Sequence, residues 1–214
     1  MIKISVLTPT IRGDEGLYLP KKSLQEQTCK DFEWLIERND PNDPPNFNQA
    51  MNRMIRKAQG ELIVILQDYI QIKKNGLEMF WEAYQKNPTV FFTAPVGKTL
   101  TGDAVEWDWR AHTNEDVELN FAEWEIDWGC APKKLLIEVG GFDEELDKYW
   151  GFDNVNIGER IVMAGYKIKN LPKNKAVSVD HNKFINHPYQ KLRNPEFHNS
   201  RLQDIRMGLK INYL

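Results

Sequence analysis

Cysteine is nearly missing: Cys29 and Cys130 are the only two in 214 residues. Two thiols at no metal-ligand spacing build neither a disulfide framework nor a zinc cluster, which fits a reduced compartment. Strong charge of one sign is missing too. The net charge is -3 and no basic run stands out, so bulk electrostatic attraction to nucleic acid is not expected. That leaves room for a locally basic cleft around a phosphate. No apolar run reaches the length of a membrane span. The opening "MIKISVLTPT" turns too soon to be a signal sequence. These absences lead us to expect a cytoplasmic protein. Internal repeats, linkers and low-complexity segments are also lacking. No G-x-G-x-x-G follows the first apolar run, which argues against a dinucleotide-dependent dehydrogenase.

What is present is an apolar fraction of 41%, enough for a substantial core. The length favours one large domain over two. "IKISVLT", closed by Pro9, reads as a buried strand, and so do "FEWLIE" (32–37), "ELIVILQ" (61–67) and "TVFFTAP" (89–95). Helical spacing appears over 16–28, through Leu17 or Tyr18 and Leu24. It recurs over 46–60, where Met51, Met54, Ile55 and Ala58 share a face, and again over 75–86. "DPNDPPN" (40–46) is a loop, since its prolines cannot serve a ladder. Strand and helix thus alternate through the first hundred residues, which predicts a mostly parallel sheet covered by helices. Further on, helices are expected near 133–139 and 154–164, a last strand over 176–181 and a docked helical tail.

In parallel sheets, ligands bind at the carboxyl ends of the strands. "GELIVILQDYI" (60–70) is therefore the stretch to watch. Its apolar run ends in a single carboxylate, Asp68, flanked by Gln67 and Tyr69. "TPTIR" (8–12) leaves the first strand at the same edge. The bland reading of Asp68 is a capped turn. Four of the seven tryptophans, Trp107, Trp109, Trp124 and Trp128, crowd one acidic stretch. Core packing is the default for a tryptophan, but four in polar surroundings lead us to expect that some face a cleft.

Four passages carry a resemblance to a family. "ISVLTPTIR" resembles the opening strand and Pro-Thr turn of family 2 glycosyltransferases of the GT-A fold. "SLQEQTCKDFEWLI" is similar to that family's passage into its second strand. "NFNQAMNRMIRKAQGELIVILQD" resembles its N-x-A-x-N helix and the strand that ends in acid. "VGGFDEELDKYWGFDNVNIGERIVMAGYKI" resembles its GGFDE…ED…R…GY block. The order and spacing match from residue 2 to about 181.

The resemblance implies a single α/β domain over 1–214, Rossmann-like, with a smaller acceptor-side region. Residues 1–100 would be the nucleotide-sugar half, 101–183 the acceptor and catalytic half, and 184–214 a helical tail that packs in cis or pairs two chains. It implies an inverting transferase that moves a sugar from a nucleotide-diphosphate donor, UDP-linked first, to a hydroxyl on a glycan or other acceptor. Donor contacts would fall to Thr8, Pro9, Thr10, Arg12, Asp40, Asn48, Asn52, Gln67 and Asp68. The leaving diphosphate gains charge, which calls for Mn²⁺ or Mg²⁺ or for basic groups. The family's acidic run is reduced here to Asp68, so donor phosphates and waters would complete the ligand set. His181 matches a position from which a histidine reaches the metal; otherwise it is a surface histidine. Asp153 matches the catalytic base, with Phe152 standing where the family has its first acid. Its bland role is a helix cap, and Asp127 and Asp143 are the fall-back acids. Trp128, Gly129 and Trp150 would line the acceptor side. The competing reading is an inactive relative that binds a nucleotide, a glycan or a protein.

Overall fold

The computed structural model describes residues 2–40, 46–99, 105–114, 117–179 and 191–214. Its strands are β1 (Ile4–Thr10), β2 (Phe32–Arg38), β3 (Leu62–Leu66), β4 (Ile70–Ile72), β5 (Val90–Thr93) and β6 (Val96–Thr99). They continue with β7 (Val105–Glu106), β8 (Glu118–Leu119), β9 (Trp128–Pro132), β10 (Lys167–Asn170) and β11 (Ala176–Ser178). Its helices are α1 (Gly13–Gly16), α2 (Tyr18–Gln25), α3 (Phe47–Lys57), α4 (Gly76–Lys86), α5 (Lys133–Glu138), α6 (Asp153–Met163) and α7 (Pro195–Arg206).

The main sheet has the order β2-β1-β3-β9-β5-β10-β8. β1 pairs in parallel with β2 and β3, and β10 with β5. β9 runs antiparallel between β3 and β5, and β8 antiparallel to β10. The expected α/β sheet forms, but as a mixed one: three of its six pairings are parallel and three antiparallel. β3 shows why its five residues are apolar throughout. Leu62, Val64 and Leu66 enter one core, with Phe80 and Leu77 of α4. Ile63 and Ile65 enter the other, with Met51, Met54 and Ile55 of α3 and Ile157 and Ile161 of α6. Successive strand side chains point to opposite faces, so a sheet covered on both faces needs an unbroken apolar run. β1 continues through Pro9 to Thr10. Past Leu7 it pairs only with β2, which leaves a side where a proline removes no ladder bond.

Two features depart from the sequence reading. "TVFFTAP" forms the expected strand over Val90–Thr93, but after a break at Ala94–Pro95 an unforeseen strand, β6, joins a second sheet of order β4-β11-β6-β7. β9 was not expected at all. "WGCAP" carries a glycine and a proline and no β-branched residue, so its own propensity is poor. It becomes a strand because β3 and β5 satisfy its backbone on both sides.

Residues 191–214 of the tail touch α6 and the turn at Gly140. Arg206 pairs with Glu159 at 2.7 Å, and the Tyr213 N–H donates to the Gly140 carbonyl at 2.9 Å. Gly140 has φ +83°, and a Cβ there would lie 1.8 Å from the Ile211 carbonyl oxygen. Both its left-handed backbone and the crossing tail require glycine. Among the described residues, no helix is long and apolar enough to cross a membrane.

Candidate functional site

A cavity of about 290 Å³ opens where the sequence reading placed it, at the carboxyl ends of β1 and β3. Thr10 ends β1, and Asp68 lies in the turn from β3 to β4. Because β9 is antiparallel, with Trp128 opposite Leu66, its first residues lie at this same edge. That brings Asp127 into the wall. Asp147 arrives on a short 3-10 turn (Glu144–Lys148), and Asp153 is the first residue of α6. Among the described residues, four aspartates, Asp68, Asp127, Asp147 and Asp153, therefore line one cavity with one arginine, Arg12.

Asp68 is buried. Its Oδ2 accepts from the Thr10 hydroxyl at 2.6 Å, and Arg12 Nη1 stands 3.8 Å from its Oδ1. Burial raises its pKa, opposed by the Thr10 bond and the Arg12 charge. Gly16 packs directly behind it, where a Cβ would come within 2.6 Å of Oδ2. Tyr69 does not face a ligand with its hydroxyl: it donates to Asp127 Oδ1 at 2.8 Å.

Asp153 and Asp147 are linked by one amide. Asn48 Nδ2 donates to Asp153 Oδ1 at 2.6 Å and to Asp147 Oδ1 at 2.9 Å. Asp147 also accepts from the backbone N–H groups of Asn48 and Gln49 at 2.8 and 2.9 Å. It thereby caps α3, whose own N-cap residue Asn46 makes no side-chain cap bond. Burial pushes the Asp153 carboxyl up to about 6, against the pull of the Asn48 bond and its own backbone N–H. Desolvation thus outweighs those bonds and the helix N-terminus. Burial likewise raises Asp147 to about 6, against three hydrogen bonds from α3.

Of the residues expected from the sequence, Pro9, Thr10, Arg12, Gln67, Asp68, Trp150 and Asp153 line the cavity. Others do not. Thr8 is buried and accepts from the Trp34 indole N–H at 2.9 Å. Asn52 is buried and exchanges hydrogen bonds with the Phe142 backbone at 2.8 Å each way, so it fixes the loop after Gly141. Asn48 holds Asp153 and does not itself line the cavity. Asp40 is exposed, outside the cavity lining. His181 lies outside the described residues. Asp143 is excluded as a substitute base: its oxygens are fully buried and bound by Arg201 at 2.7 and 3.0 Å.

The expectation for Trp128 and Gly129 is corrected. Trp128 is fully buried, packs on Phe80 with ring centroids 4.6 Å apart, and donates to the Asn174 carbonyl at 3.0 Å. Gly129 lies in β9, where a Cβ would come 2.7 Å from the Glu125 carbonyl oxygen. Trp124 is also in the core. The polar sequence around these tryptophans misled: β9 carries Trp128 into one core, and Trp124 packs in the other. Trp128→Ala should therefore cost about 3–5 kcal/mol of stability, as large core truncations do. Chemical denaturation checks this, and a fully stable variant would restore the cleft reading. The sequence reading also missed Asp147, Tyr149 and Phe47 in the cavity wall. Nothing local marks an acid on a 3-10 turn as the cap of a helix 99 residues earlier.

No protein-family model matches the chain, and no curated protein resembles it in sequence. Solved structures do resemble it. S. aureus TarS superposes with a TM-score of 0.65 at 14% identity, over 83% of this chain and 36% of that one. GalNAc-T7 with UDP, GalNAc and Mn²⁺ gives 0.65 at 13% identity, over 84% and 44%. TarS 1-349 in complex with UDP gives 0.63 at 11% identity, over 95% and 70%. The chain thus spans less than half the length of the first two. The likeness is one of fold: a central α/β sheet flanked by helices, in the GT-A arrangement of these glycosyltransferases.

Proposed function

We propose that this chain is a metal-assisted inverting glycosyltransferase of the family 2 type. It takes a nucleotide-diphosphate sugar, a UDP-sugar first, and a hydroxyl acceptor such as a glycan. One observation carries the reading: Asp68 and Asp153 share a single cavity at the carboxyl edge of the parallel strands, where burial pushes the Asp153 carboxyl up to about 6. A carboxyl of that pKa is mostly ionised at neutral pH yet more basic than an ordinary carboxylate, as a general base should be.

The acceptor oxygen attacks the anomeric carbon and passes its proton to Asp153. The carbon–oxygen bond to the diphosphate breaks, and its electron pair leaves with the nucleotide. Attack opposite the leaving group inverts the centre. Asn48 holds Asp153 in place, and Asp147 holds Asn48. Thr10 and Arg12 steady Asp68 and the phosphates. Trp150, beside Gly151, offers a flat face to the acceptor.

The donor set fits a divalent cation shared with the substrate. Asp68, Asp127, Asp147 and Asp153 would together repel a diphosphate, and among the described residues of the cavity wall Arg12 alone carries positive charge, so a bound cation would offset what the side chains do not. A hard cation bound by one carboxylate and the donor's phosphates matches this chemistry. Such an ion neutralises charge on the departing diphosphate. His181 is the proposed second ligand. The rival reading, an inactive binding domain, draws on the lack of any three-residue metal-ligand group among the described residues.

Hydrolysis of UDP-sugars, with and without Mn²⁺, separates the two readings. In the transferase the rate should fall about tenfold per pH unit below about 6, as Asp153 takes up its proton. Stability should move the other way. Asp153 and Asp147 keep protons in the folded state that the unfolded chain has lost. Their contribution therefore strengthens as pH falls from about 6 toward the ordinary carboxylate value and is lost as pH rises through 6. A pH-independent rate across that window counts against Asp153 as base.

A further inference from the structure

Phe152 occupies an unusual backbone position. It has φ +71° and ψ +4°, and it is the only non-glycine residue at positive φ among the described residues. Gly151 before it has φ +85°. Two successive left-handed residues turn the chain from Tyr149–Trp150, in the cavity wall, into the first turn of α6. The second of them sets where Asp153 begins. A phenylalanine does not adopt this conformation without help, so the surroundings must impose it.

The surroundings are α7 and Arg193 just before it. The His198 ring stacks on Phe152, with centroids 4.3 Å apart and planes 11° from parallel. The Arg193 guanidinium lies over the same ring, 4.5 Å from its centroid. One step along, Phe197 packs on Tyr149 at 4.5 Å. Three residues after His198, Arg201 binds both oxygens of Asp143, at the start of the segment that ends in Phe152. His198 is 4% exposed, and among the described residues its Nδ1 has no hydrogen-bond partner, while its ring face is committed to Phe152.

We propose that His198 is a positioning residue for Asp153, acting through the Phe152 ring. This rests on the reading of Asp153 as the base. It also gives a role to Phe152, which stands where related sequences place an acid: the ring anchors the base-bearing turn to the tail.

The test uses the full chain with UDP-glucose hydrolysis in Mn²⁺, UDP calorimetry, and carbon-13 NMR titration of Asp153, whose resonance is the one missing in Asp153→Asn. His198→Ala should lower kcat about tenfold or more, since small misplacements of reacting groups are costly. KM and UDP affinity should hold. The Asp153 titration should fall from about 6 toward the ordinary carboxylate value as the turn relaxes into solvent. His198→Phe, which keeps a stacking ring, should restore most of the rate and the titration. An Asp153 titration unchanged in His198→Ala overturns the proposal, as does failure of His198→Phe to restore it. If His198→Ala does not fold, His198→Leu, which fills the volume without a flat ring, replaces it in both comparisons. A wild-type chain that hydrolyses no UDP-sugar would defeat the transferase reading alone, because the titration still decides whether His198 positions Asp153.

Discussion

Asp153→Asn should lower sugar transfer by about a hundredfold or more while leaving UDP binding in Mn²⁺ intact, since general base catalysis is typically worth 10²–10⁴-fold. The substitution is narrow. Asparagine keeps the size and can still accept from Asn48 Nδ2 through its carbonyl. It removes only the ability to accept a proton. A variant that unfolds is therefore not expected, and thermal melting should show little change. If transfer stays near wild type, Asp153 serves only to anchor Asn48 at the first turn of α6, and the cap role expected from the sequence does not apply, because the N-cap position is Phe152. Suspicion then passes to Asp127, which lines the same cavity, and not to Asp143, whose oxygens are committed to Arg201.

Asp68→Ala should weaken Mn²⁺-dependent UDP binding by about a hundredfold or more, which corresponds to ~2.7 kcal/mol. Asp68 is the acid in the turn after β3, and it is held from one side by Thr10 with Arg12 nearby. Removing it takes a negative charge from beside Arg12 in the cavity wall, so metal-free UDP binding should hold or tighten slightly. That opposite response separates a metal ligand from a turn cap: a cap variant would lose binding equally with and without Mn²⁺, through damage to the turn. Equal calorimetric affinity for UDP in Mn²⁺ before and after the substitution would sink the metal assignment.

The single acid at the end of "LIVIL" was legible because two simple periodicities agree. A five-residue apolar run in a βαβ pattern is a strand covered on both faces, and its carboxyl end is where such sheets bind ligands. α3 and α6 were legible by their apolar spacing, and Asp153 by the block around it. These are local properties, written within one element or its immediate flanks.

What only the tertiary structure decided is how distant segments meet. β9 is a strand because its neighbours pair with it, and this buried Trp128 and carried Asp127 to the cavity edge. Asp147 is a cap because the turn that bears it folds onto the start of α3. Asp153 titrates near 6 because burial outweighs the bonds and helix end that would lower it, a balance that no sequence pattern displays. Phe152 holds its left-handed backbone because His198, 46 residues later, stacks on its ring. Propensity and periodicity act over a few residues, whereas desolvation, capping in trans and ring stacking depend on which surfaces the completed fold presses together.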